Sequence, residues 1–237
     1  MIDQVLEAVK KQRGDGQDLR RRARAAEDPK DRNRLFDSAR DEFQKAIDAL
    51  ERTLRMVRRS EVNYTNDVCR LIEALSQTYG SLGGTLRDAG RFKDAIRMYD
   101  KGNTFEEERR EHCVRNDTYN MLQRLIVRIL DDATCLEESE FRAELDAVRI
   151  EIDGQVENGR SDSWALADQV LARFLCGKDS ESAIGELKRR NASSAFYKSA
   201  ADVIAALINE GLGKNDELGR QLNSFHQLLL RKGGGSF

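Results

Sequence analysis

Two groups of side chains in this sequence have types and spacing that could do chemistry. His112 stands beside Cys113, and both residue types ligate zinc. Neighbours on a helix point about 100° apart, and structural zinc wants four convergent ligands. Cys69, Cys135, Cys176 and His226 offer no second pair at a useful spacing, so no metal and no cofactor is expected. The four cysteines include no Cys-x-x-Cys pair. The stretch Met1 to Lys11 lacks the continuous apolar run of an export signal. The cysteines therefore read as reduced thiols, with Cys69 and Cys176 as small core side chains. The second group is Asn120, Arg124 and Arg128, four residues apart. On a helix they form one polar stripe, and an amide with two guanidiniums suits a carboxylate or an acidic peptide. The competing reading is a solvated face paired with Asp117 or Asp131.

A further cluster, Arg20, Arg21, Arg22 and Arg24, lies in a segment from Lys10 to Arg34. That segment holds ten basic and five acidic residues, a charge of +5. Such density could meet phosphates. Yet no aromatic lies between Val9 and Leu35, so bases would find no stacking platform. Nucleic-acid binding through these arginines is the alternative reading. Catalysis is not expected. There is no Gly-rich phosphate loop, no Gly-x-Ser-x-Gly, no His-Glu-x-x-His and no cysteine with a histidine partner suited to it.

The elements that must position these groups are helical. The chain has 237 residues, one proline, 35 % charged residues and a net charge of −2. Few prolines with much charge point to long solvated helices. No apolar run approaches the ~20 residues of a membrane span, and a cytoplasmic protein without membrane contact is expected. Ile2, Val5, Leu6 and Val9 open a short helix, which Gly14 and Gly16 are expected to interrupt. Asp28 to Arg34, with Pro29, reads as a polar link. Phe36, Ala39, Phe43, Ala46, Ile47, Leu50, Leu54 and Val57 then form one apolar stripe. Val68, Leu71, Ile72, Leu75, Tyr79, Leu82 and Leu86 form the next, closed by Gly90 as a left-handed cap. Later helices are marked by Tyr119 to Ile129, Phe141 to Ile152, Trp164 to Leu175 before Gly177, and Ala183 to Leu187. Two more are marked by Phe196 to Leu207 and Leu218 to Leu229. Gly154, Asn158, Gly159 and Ser161 read as a loop, as do Gly211 and Gly213. No segment alternates with period two.

Tyr79, Leu82, Gly83, Gly90, Phe92, Ala95, Tyr99 and Gly102 stand at spacings that resemble a tetratricopeptide repeat. Small Gly83 and Ala95 would let two helices approach, Gly90 would turn the chain, and Phe92 and Tyr99 would fill the groove to the next pair. The sequence departs from the family pattern at Leu86, Gly102 and Glu107, where Tyr, Ala and Pro are usual. Ala39, Phe43 and Ala46 repeat the spacing of Ala95, Tyr99 and Gly102. Trp164 to Asp168 is similar to the repeat-like regulatory regions of stress-signalling kinases and bacterial conflict-system proteins.

The resemblance implies an all-α fold in which antiparallel helix pairs stack as an irregular right-handed α-solenoid of roughly nine to eleven helices. It implies a basic helical segment at 1–34, a repeat domain at 35–230 and a flexible tail at 231–237. It implies a non-catalytic adaptor or scaffold that regulates a signalling or effector partner. The partner protein would lie in a concave groove lined by Gln77, Gly80, Gly84, Arg87 and Asp88, with Asn120, Arg124 and Arg128 in the next unit. The stripe lacks the Lys-Asn set of the family's chaperone-binding clamp. The oligomeric state is left open, as is whether the last helix docks internally or on another chain.

Overall fold

A computed structural model describes residues 2–60, 65–113, 117–158, 162–190, 192–210, 212 and 217–234. Among them the chain is all-helical, with no strand. The helices are α1 (Ile2–Ala25), α2 (Pro29–Ser60), α3 (Asn66–Asp88), α4 (Phe92–His112), α5 (Tyr119–Asp131), α6 (Ser139–Glu157), α7 (Ser163–Leu175), α8 (Glu181–Arg189), α9 (Ser194–Asn209) and α10 (Glu217–Lys232). A short 3-10 turn at Ala133–Glu137 follows α5. The chain divides into two compact units, Met1–Val127 and Arg128–Phe237. The division falls inside α5, and the basic segment at 1–34 belongs to the first unit. Among the described residues no helix is long and apolar enough to cross a membrane.

In the first unit α1 packs on α2, α2 on α3 and α3 on α4, and α1 also reaches α3. The apolar stripes on α2 and α3 supply the core, with Phe43, Leu50, Leu71, Ile72 and Tyr99 fully buried. Two local expectations are corrected. Gly14 and Gly16 do not interrupt α1. A Cβ at Gly16 would stand 2.9 Å from the Phe43 ring, so the missing side chain lets α2 close against an unbroken helix. Pro29 does not sit in a link but opens α2, where its fixed φ suits the helix and its absent N–H costs nothing.

Gly83 repeats the arrangement of Gly16. A Cβ there would lie 2.9 Å from the Tyr99 ring. At the turn between α3 and α4, Gly90 takes φ +72°, the left-handed region that glycine enters without penalty. The far ends of the same hairpin are joined covalently. Cys69 and Cys113 form a disulfide with Cα atoms 5.7 Å apart, which corrects the reading of reduced thiols. The two cysteines are 44 residues apart, a distance over which spacing carries no pairing signal. The tertiary hairpin alone brings them together. Cys135 and Cys176 remain free.

In the second unit Asp153 of α6 accepts from Gln169 and Arg173 of α7, each at 2.8 Å. α7 ends before Gly177, whose φ is +64°. Asp162 and Ser193 cap α7 and α9 with side-chain acceptors. The last helix docks internally: Phe225 meets Phe174 edge to face at 5.8 Å, and α10 packs on α9. Gly154 and Asn158 do not form a loop by themselves, because α6 runs through Gly154 to Glu157. Of the expected tail, Gly233 is buried and its carbonyl accepts from Ser194 at 2.7 Å. Gly159, Ser161, Gly211, Gly213 and positions 235–237 lie outside the described residues.

Two outcomes test this packing. Gly83→Leu should destabilise the first unit by about 1–3 kcal/mol through overpacking, read by urea unfolding. Reductant should cost the protein about 2–4 kcal/mol through loss of the cross-link, and a Cys69→Ser/Cys113→Ser variant should be insensitive to it.

Candidate functional site

The face of α3 expected to line an open groove is covered by α1. The two helices run side by side in one direction with a constant offset. Arg13 donates to Gln77 at 2.8 Å, Arg20 lies over Gly84 and Arg24 donates to Asp88 at 2.7 Å, each 64 positions along. A Cβ at Gly84 would stand 2.7 Å from the Arg20 guanidinium. The glycine therefore makes room for a side chain of this same chain rather than for a partner. Burial lowers the pKa of Arg13, with Glu73 opposing.

Asp88 is the hub of this contact. Its carboxylate accepts from Arg20 Nε at 2.6 Å, from Arg24 Nε at 2.7 Å and from Arg87 Nη2 at 3.0 Å. Arg87 is only 6 % exposed and also donates to Gln123 at 2.8 Å. Burial alone would raise the Asp88 carboxyl, but Arg20, Arg87 and Arg24 together hold it well below the usual carboxylate range. Burial alone would lower the pKa of Arg87, but Asp88, Tyr99 and Tyr119 together raise it, so the guanidinium stays charged. A carboxylate shared by three guanidiniums is a strong, charge-assisted arrangement.

The remaining expected site residues are also engaged. Asn120 is completely buried, between Gly80 of α3 and Gly102 of α4. Arg124 donates to Asp100 at 3.1 Å. Arg128, across the division within α5, donates to Glu144 at 2.6 Å and lies 4.6 Å over the Phe141 ring. The stripe is thus not an open face: one member is in the core and two already hold carboxylates. In the basic cluster Arg20 and Arg24 turn inward to Asp88, Arg21 pairs with Asp18 and Arg22 is exposed. His112 approaches Glu111, and its neighbour Cys113 is consumed by the disulfide. Among the described residues no three His, Cys, Asp or Glu side chains stand together as a metal-holding group.

A feature not expected from the sequence lies in the second unit. α8 and α10 both pack on α7 but not on each other, leaving a groove of about 790 Å³. Phe174, Phe225, Ile184 and Leu228 give it apolar surface, and Gln221, Ser224 and Gln227 give it polar walls. Lys232 at the end of α10 donates to the Lys188 carbonyl at the end of α8 at 2.8 Å. Asp179, Glu181, Lys188, Glu217, Arg220 and Arg231 also line it, and Glu217 is paired with Arg220 at 2.6 Å. The half-buried Ile184 and Leu228 were a possible sequence signal, as apolar residues at the margin of short amphipathic helices.

No family model matches the chain, and no curated protein or solved structure matches it.

Asp88→Asn should cost about 3–5 kcal/mol, because the buried Arg87 and the half-buried Arg20 and Arg24 would lose their counter-charge. Since the native carboxyl titrates below its unfolded value, its stabilisation is full above about pH 4 and is lost as pH falls further. Denaturant melts from pH 7 to pH 2 should show wild type and Asp88→Asn converging at the acid end.

Proposed function

We propose that this protein is a non-catalytic interaction module that binds a partner protein through the groove between α8 and α10. The observation that carries this reading is the groove itself: two helices packed on α7, with apolar surface between them. An amphipathic helix suits such a surface, with its apolar side chains against Ile184 and Leu228.

The tetratricopeptide-like architecture is part of the same reading. It is supported by the glycine-under-aromatic contact of Gly16 with Phe43, repeated by Gly83 with Tyr99. A regulatory adaptor role follows from family resemblance. A cytoplasmic setting, in which the Cys69–Cys113 bond would be open to reduction, is a separate part of the proposal. The binding surface in this proposal differs from the α3 groove, because α1 fills that groove with Arg13, Arg20 and Arg24.

A photo-crosslinking residue at Ser224, compared with one at exposed Lys45 on α2, tests the proposal in cell lysate. Ser224 should capture one protein at a helical segment, and Ile184→Glu/Leu228→Glu should abolish the capture. Equal labelling from both positions, or capture unaffected by the double change, would overturn it.

A further inference from the structure

Between α3, α4 and the start of α5 lies a polar cluster that belongs to no groove. Glu106 of α4 is 1 % exposed. Its Oε1 accepts from the Asn120 backbone N–H at 3.0 Å, from Asn120 Nδ2 at 2.5 Å and from Ser76 Oγ at 3.3 Å. The orientation of the Asn120 amide is set independently, because Nδ2 also donates to the Ser76 backbone carbonyl at 3.3 Å. A carbonyl can only accept, so nitrogen must face Ser76 and oxygen must face away. Two buried acceptors are then left with no donor: Glu106 Oε2 and Asn120 Oδ1. Asn120 Oδ1 stands in a space that two glycines keep narrow, since a Cβ at Gly80 would lie 2.9 Å from Oδ1 and one at Gly102 would lie 2.5 Å from Asn120 Cγ.

We infer that Glu106 carries a proton on Oε2 at neutral pH and donates it to Asn120 Oδ1, forming a reciprocal acid–amide pair that latches α5 onto the α3–α4 hairpin and loosens as pH rises. One proton satisfies both orphaned atoms, and leaving them bare in the core would carry the full desolvation penalty of each. The surrounding charges agree. Glu73 of α3 and Arg109 of α4 answer each other at 2.8 Å, and Arg110 of α4 reaches Met121 of α5. Asp117, just before α5, faces Glu106 with a like charge. Burial, then Asp117, pushes the Glu106 carboxyl well above its ordinary value, against the hydrogen bonds from Asn120 and Ser76.

The sign of the effect follows from proton counting. Above about pH 4.5 the unfolded chain releases this proton while the native protein keeps it. Native stability therefore declines with rising pH until Glu106 itself ionises. Glu106→Gln supplies the same donor and acceptor without titrating.

The test compares wild type with Glu106→Gln from pH 4 to pH 9. Near pH 4 their folding constants should be similar. Above that, wild type should lose up to about tenfold per pH unit relative to the variant. Amide exchange at Asn120, whose N–H is held by Glu106, should accelerate with pH beyond the intrinsic rate in wild type only. A measurement that needs no variant is the carbon-13 resonance of the glutamate carboxyls. One glutamate should keep its acid-form shift at pH 7 in wild type. If every glutamate is ionised at pH 7, or the two proteins keep a constant stability difference across the range, the latch is rejected.

Discussion

The first unit depends on one carboxylate. Asp88 ends α3, and Arg20, Arg24 and Arg87 all converge on it. Two of these arginines come from α1, so the same charge that closes α3 also holds the last turns of the amino-terminal helix. A buried charge is tolerated only when it is paired and hydrogen-bonded, and here each partner meets that condition for the others. The consequence reaches function. A basic segment that could have met phosphates uses two of its arginines internally, and the face of α3 that was expected to be open is covered by α1.

The second constraint is the absence of side chains. Gly16 and Gly83 each lie under an aromatic ring of the following helix. In the same way Gly80 and Gly102 admit Asn120. Close helix contact is thus obtained at points where a Cβ could not fit, and the conformational cost of glycine in a helix is offset by buried aromatic surface. The Cys69–Cys113 bond closes the α3–α4 hairpin at one end and the Gly90 turn closes it at the other. In the second unit no comparable covalent tie joins α8 to α10. Their separation on α7 leaves the surface that the interaction reading uses.

Much of the helical plan was legible. The apolar residues from Phe36 to Val57 and from Val68 to Leu86 mark α2 and α3 because their three- and four-residue spacing puts them on one face. All but a few are buried. Gly90 and Gly177 were readable as turns and take positive φ. The failures have a common form. Gly14, Gly16 and Pro29 were weighed by local preference, and tertiary packing and helix position decided otherwise. Gln77, Arg87 and Asn120 were placed on a groove because they sit off the apolar stripe. Arg87 and Asn120 are buried and Gln77 half-buried instead, because each finds its partner on another helix: Gln123, Glu106 and Arg13.

The sequence by itself determined that this chain is helical and where its apolar faces run. Those are properties of neighbours along the chain, and a 3.6-residue period displays them directly. Only the tertiary structure decided what covers each polar face. It set α1 on α3 at an offset of 64 residues, paired two cysteines 44 residues apart and enclosed Glu106 with Asn120. It also left the space between α8 and α10 open. Hydrogen bonds and ion pairs act over a few ångströms in space, and periodicity along the chain does not encode which distant residue will come that close.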